Sequence, residues 1–350
     1  MDRRRYLAGT LSALTGTALV AGCLDDFSPE FASESDGRDR ASGDDTTADD
    51  AGADGGDDGG SDTDSDREND REIDRAVGRL NKASISLSML EDELDDPEAI
   101  DFDHEEPREL IAAGREHLET ASATEIESYL QDIEVLEGYA DVLERMSDVT
   151  ETVTDESLRD EFEEISTAIE DRDLEVAQAG ADDYNSTFAN ARDRLDPALE
   201  TIETIDRNRL EDRNVVDFED IESGARALDD VVSSFSTLGG ALDSIILGHE
   251  YLEDGETKAD DNDHEGALVA FEGAKEAYTA AETTLEDGKG DAPDGLVDTF
   301  ETSLCQTGHL TDATGYFIAA SEAALAEDPH TAEEKRAEAE AALEATQDCA

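Results

Sequence analysis

Beyond Arg71, apolar residues recur at spacings of three and four along most of the chain, the pattern of helices that bury one stripe. Ile126, Leu130, Ile133, Leu136, Tyr139, Leu143 and Met146 share such a stripe, with acidic residues opposite. The longest stripe runs through Phe218, Ile221, Ala225, Leu228, Val232, Phe235, Leu238, Leu242, Ile245, His249 and Leu252, and Gly239-Gly240 predicts its division into two helices. A third, Leu268, Phe271, Ala274, Tyr278, Ala281 and Leu285, opens after the acidic turn Asp260 to Asp263. Weaker patterns predict helices over Ile73–Leu94, Arg108–Leu118, Leu158–Ile169, Leu174–Ile205, Leu296–Leu325 and Ala332–Thr346. Breakers separate them at Asp96-Pro97, Pro107, Asp291-Ala292-Pro293-Asp294 and Asp328-Pro329. Pro197 falls inside the Leu174–Ile205 pattern and is expected to kink a helix or start one. No alternating or β-branched run predicts a strand. The expected fold class is therefore all-α, a multi-helix bundle of about eight to ten helices.

The polar run Asp206 to Asn214 (DRNRLEDRN) divides this body into a first helical group, 71–206, and a second, 217–350. In the second, Leu247, Gly248 and Tyr251 followed by Ala267, Phe271 and Ala274 are similar to the small-and-large pattern of a tetratricopeptide repeat. The turn between the halves is about seven residues too long, and Tyr316 to Leu343 is only a loose echo. Helix-pair packing of that kind is expected in the C-terminal half, without a true repeat array.

Ahead of the body the pattern vanishes. From Glu34 to Asp66 there is no Leu, Ile, Val, Met or aromatic residue, so this segment has nothing to bury against its ordering entropy. With Gly52, Gly55, Gly56, Gly59 and Gly60 among its acids, the stretch 23–70 reads as a disordered tether with a reach of about 35–40 Å.

Residues 1–22 read as an export signal. Arg3, Arg4 and Arg5 precede an apolar stretch from Leu7 to Val20, about 14 residues between the arginines and the closing motif, where a membrane-spanning helix needs about 20. Arg3-Arg4-Arg5-Tyr6-Leu7 resembles the twin-arginine export motif, and Val20-Ala21-Gly22-Cys23 resembles a lipobox, in which cleavage before Cys23 frees it for diacylglycerol attachment. The two lie in register.

Charge adds the habitat. The chain has 96 acidic and 26 basic residues, a formal net charge of −70. Residues 1–23 carry +2 and 24–70 carry −15, which leaves −57 on the body. Such a surface needs molar salt, where the Debye length shrinks to about 3 Å. Signal, lipobox and composition together resemble twin-arginine-exported lipoproteins of extremely halophilic archaea, which implies a lipid-anchored protein on the extracytoplasmic face of the cell membrane. Nucleic acid is not an expected partner, because no basic patch with aromatic residues is present.

Lipid on Cys23 leaves Cys305 and Cys349 as an even pair in an oxidising setting. A turn at Asp328-Pro329-His330 would put them about 36 and 30 Å along two antiparallel helices, at nearly one level, so a disulfide is expected.

Catalytic motifs are missing. None of the six histidines sits in a zinc pattern, and the one Glu-x-x-His, Glu327 to His330, straddles Pro329. No G-x-S-x-G, P-loop or dinucleotide fingerprint occurs. His249 and Glu253, four apart, are the best metal-like pair, yet His249 lies on an apolar stripe and is expected to be packed. No catalytic residue, metal ligand or cofactor is assigned. Two functions remain. One is an anchored helical binding or scaffold module that meets a membrane or surface-layer protein. The other is a metal- or solute-capturing lipoprotein, similar in layout to all-helical iron-uptake lipoproteins that use a His and a Glu on neighbouring helices. Their Gly-x-His-x-x-Glu pattern is absent, because Gly248-His249 is followed by Glu250 and Glu253 at other offsets.

Overall fold

The computed structural model describes residues 60–88, 103–122, 126–155, 157–216 and 218–349. Among them are ten α-helices and no strand: α1 (Gly60–Ser88), α2 (Glu105–Ala121), α3 (Glu127–Val153), α4 (Ser157–Glu170), α5 (Leu174–Thr204), α6 (Arg207–Asp212), α7 (Phe218–Asp260), α8 (His264–Lys289), α9 (Asp294–Leu325) and α10 (Pro329–Ala345), with a 3₁₀ turn at Thr346–Asp348. The bundle is all-α. Cys23, Arg3, Arg4 and the tether up to residue 59 lie outside the described residues.

Three of the hairpin turns share one construction. Arg172, Asn262 and Glu327 take left-handed backbone conformations, with φ of 59°, 64° and 59°. Each is followed by an aspartate whose amide closes a six-residue ring onto the preceding helix: Asp173 to Ala168 O, Asp263 to Lys258 O and Asp328 to Ala323 O, at 2.8–2.9 Å. The same aspartates then cap the next helix, accepting from the amides of Val176, Gly266 and Thr331. One Asp thus ends a hairpin turn and starts a helix. At Asp328 the Thr331 hydroxyl and amide also hold the carboxyl below its usual pKa.

These turns send successive helices antiparallel. Gly114 faces Leu80 across α1–α2, Gly180 faces Ile165 across α4–α5, and Phe188 stacks on Phe235 across α5–α7 at 4.8 Å. Across α7–α8, Gly248 meets Tyr278 and Gly255 meets Phe271, so one register holds for two turns. Phe271 in turn stacks on Phe317 of α9 at 4.9 Å. Small residues under large rings are the helix-pair packing expected in this half of the chain.

The main core draws on α1 through α7 and on the facing ends of α8 and α9, with Tyr139, Tyr184, Phe188 and Phe300 among its largest members. A second cluster, around Leu252, Phe271, Tyr278, Leu310, Phe317 and Ala339, belongs to the C-terminal helices alone. Helix α7 is 43 residues long and the one described helix apolar enough, by length and composition, to cross a bilayer; 56% of its most apolar window lies inside the fold.

Four expectations are modified. Gly239-Gly240 does not divide α7, because Gly239 is where α5 comes closest: a Cβ there would lie 3.2 Å from Tyr184 Cδ1 and 3.1 Å from Asn185 Cγ. Pro197 lies inside α5 and starts no helix, and the carbonyl it deprives of a donor belongs to exposed Asp193. Helix α1 begins at Gly60, inside the stretch assigned to the tether. Ile126 and Leu130, at the start of their stripe, are 38% and 41% exposed.

The polar run 206–214 proves to be a clasp. Arg209 Nη1 donates to Asp132 Oδ1 at 2.7 Å and Arg213 Nε to Asp132 Oδ2 at 2.9 Å, on α3, while Arg213 also reaches Asp70 at 3.2 Å on α1. Asn81 brackets the same segment, donating to Asn214 O at 3.0 Å and accepting from Val216 N at 3.1 Å. Its polarity serves contacts within the bundle.

Candidate functional site

Two groups of side chains carry chemistry. The first surrounds His249. Gly248 lets α7 and α8 approach so closely that a Cβ there would lie 2.6 Å from Tyr278 Cδ1, and one residue on, the His249 ring stands edge-to-face on Tyr278 at 5.6 Å between centroids. Tyr278 is fully buried and its hydroxyl makes no hydrogen bond. Beside the pair, the left-handed turn residue Arg172 donates to Glu256 Oε2 at 2.6 Å. The residue His249 is partly open to solvent, but its ring is enclosed, and burial together with the Arg172 charge pushes its pKa down to about 4. Burial pushes the Tyr278 phenol above its usual value, against the Arg172 charge and aided by Glu256 and Glu253. Both rings are therefore neutral at pH 7. The His249–Glu253 pairing suggested by spacing does not form a three-ligand cluster, and His249 is a packed ring.

Two results are expected here. Gly248→Ala should destabilise by about 3 kcal/mol, because the buried Tyr278 ring cannot move aside without opening the second core cluster; an unchanged melting temperature would show that α7 and α8 slide freely. The second concerns pH. Since the folded pKa of His249 is depressed, its contribution is complete above about pH 6.5 and is lost as pH falls towards 4. Between pH 7 and 4.5 the unaltered protein should lose about 2 kcal/mol more than His249→Gln, measured by denaturant unfolding in molar salt. Carboxylates raised by burial, such as Asp243 and Glu282, titrate with the opposite sign and cancel in that comparison.

The second group lies on α9 and on the segment that follows α10. The Asp328 turn lays α10 back along α9, and the 3₁₀ turn after α10 delivers Cys349 to Cys305, with Cα atoms 5.7 Å apart and the sulfurs joined in a disulfide. His309, one helical turn beyond Cys305 on α9, lies beside this bond. A ring nitrogen of His309 and the two sulfurs all fall within 4.8 Å of one another, the one such cluster of three metal-capable side chains among the described residues. Cys305 is exposed, His309 intermediate and Cys349 buried. Sequence reasoning paired the cysteines without the histidine; the signal was the spacing Cys305-x-x-x-His309, which puts both on one helix face.

Glu327 occupies the left-handed turn position and His330 the first turn of α10, both exposed. An open cleft between α1 and α2 has Arg79 and Lys82 beside Ile85 and Leu110. Apolar side chains are exposed at Leu247 and Tyr251 of α7 and Val269 of α8, with the Tyr251 ring lying over Gly273. No family model, curated protein or solved structure matches the chain.

Proposed function

We propose that the protein is a lipid-anchored, extracytoplasmic helical binding or scaffold lipoprotein of a salt-adapted cell, held at the membrane through Cys23. The observation that carries this reading is the register of Arg3-Arg4-Arg5, the apolar stretch Leu7 to Val20 and Val20-Ala21-Gly22-Cys23 ahead of an acidic spacer. The helical body adds surfaces suited to a protein partner: the exposed Leu247, Tyr251 and Val269, and the cleft beside Arg79 and Lys82, a cationic wall in a chain with few cations. A membrane or surface-layer protein is the partner this placement favours.

Cys23→Ser tests the anchor. A diacylglyceryl group carries two acyl chains, enough for stable attachment, so the variant should leave the membrane fraction or accumulate unprocessed. Membrane retention after correct signal cleavage would refute the lipobox. Crosslinking on intact cells tests the partner: capture should weaken when the body from Arg71 onward is deleted and persist when Glu34 to Asp66 is replaced by another flexible linker. Equal capture by the tether alone would move the function to the acidic segment.

A further inference from the structure

We propose that reduction of the Cys305–Cys349 bond converts this corner of the fold into a binding site for one thiophilic divalent cation of the zinc class, with Cys305, His309 and Cys349 as ligands and a fourth position open. Two sulfurs and an imidazole nitrogen are the donors such a cation prefers, and three protein ligands with one free position is a recurrent arrangement for zinc. The frame is set before any metal arrives. Cys305 and His309 project from the same face of a 32-residue helix, and Cys349 is brought to them by the return of α10.

In the disulfide neither sulfur is a thiolate, so the oxidised corner offers only His309. A dithiol reductant supplies what is needed: two electrons and two protons pass to the protein, the Cys305–Cys349 bond breaks into two thiols, and the reductant's sulfurs join as its own disulfide. Cation binding then displaces the two thiol protons, leaving two thiolates on the metal. Cys305 is exposed, which gives the reductant a sulfur to attack.

The geometric adjustment is small. Sulfurs on one tetrahedral zinc stand about 3.8 Å apart for Zn–S bonds of about 2.3 Å. The ligand nitrogen already lies within 4.8 Å of both sulfurs. Cys349 can take up the change, because it follows a three-residue turn and its amide makes a long bond of 3.4 Å to Thr346 O. Either state ties α9 to the segment after α10, by a covalent bond when oxidised and through the metal when reduced. The corner is thus a crosslink whose chemistry follows the redox state.

The test uses the full chain carrying Cys23→Ser, which removes the only thiol outside this corner. The protein is titrated with Co²⁺ in molar salt, before and after treatment with a dithiol. Thiolate-to-cobalt charge-transfer absorption reports sulfur ligation alone, so the many carboxylates do not register. The reduced protein should take up one Co²⁺ per chain with that absorption, Zn²⁺ should displace it, and the oxidised protein should show none. His309→Ala leaves the disulfide intact and should weaken the reduced site by more than about tenfold, since even an outer partner of a metal ligand is worth that much. Zn²⁺ should also recover the melting temperature lost on reduction. The proposal is overturned if the reduced protein gives no charge-transfer absorption, if His309→Ala binds as tightly as the unaltered chain, or if helix lost on reduction is not regained with Zn²⁺.

Discussion

Dialysed from molar salt to about 10 mM, the protein is expected to lose its helical circular dichroism in one cooperative step. Residues 71–350 carry −57, and their cations are already shared among several acids. Arg115 contacts both Asp141 and Glu144, Arg108 both Asp148 and Glu151, and Arg213 both Asp132 and Asp70. The surplus acids press on one another. Burial and neighbouring carboxylates raise the pKa of Glu161, and the same two causes act at Asp230 beside Asp229. At molar salt this repulsion is screened beyond about 3 Å, whereas at 10 mM it acts over about 30 Å, across the whole bundle. A domain stable by about 5–15 kcal/mol has little margin against unscreened charge on that scale. A cooperative fold retained at about 10 mM would remove salt adaptation as the reason for the acidity.

Opening the disulfide is the second large effect. The cysteines are 44 residues apart in sequence, and the chain-entropy relation assigns such a loop about 4 kcal/mol. Most of that loss should appear locally. Ala339 is the single buried residue of α10, so this helix has little apolar area of its own to hold it on α9. With Cys305→Ser, α10 should detach first. Hydrogen exchange ought to quicken over Pro329–Ala345 while α5 and α7, inside the main core, stay protected. Uniform loss of protection along the chain would show instead that α10 unfolds with the rest, and unchanged exchange over α10 would show that the bond contributes nothing to its docking.

Much of the fold is legible without coordinates, and the reason is local. The stripes at spacings of three and four, the proline and aspartate breakers, and the absence of β-branched runs depend on residues within one or two turns of each other, which is the range over which helices form. The Asp caps at 173, 263 and 328 belong to the same class, since each bonds an amide three residues on. The common level of Cys305 and Cys349 also follows from helix rise and a single turn.

What the sequence by itself determined, then, is the all-α class with most of its helices, a body able to bury a core, and the two cysteines that face each other. Only the tertiary structure decided what single residues do at crossings. Gly239 reads as a helix breaker and is instead the place where α5 lies close; DRNRLEDRN reads as a polar run, and its hydrogen bonds go to Asp132, Asp70 and Asn81 on helices 70 or more residues away. His249 sits on a stripe in the sequence, but its neutrality depends on Tyr278 and Arg172 from two other elements. Cys349 joins Cys305 and His309 only when α10 returns along α9. These are properties of pairs distant in the chain, and a pattern that runs along one helix carries no record of which residue of another helix will meet it.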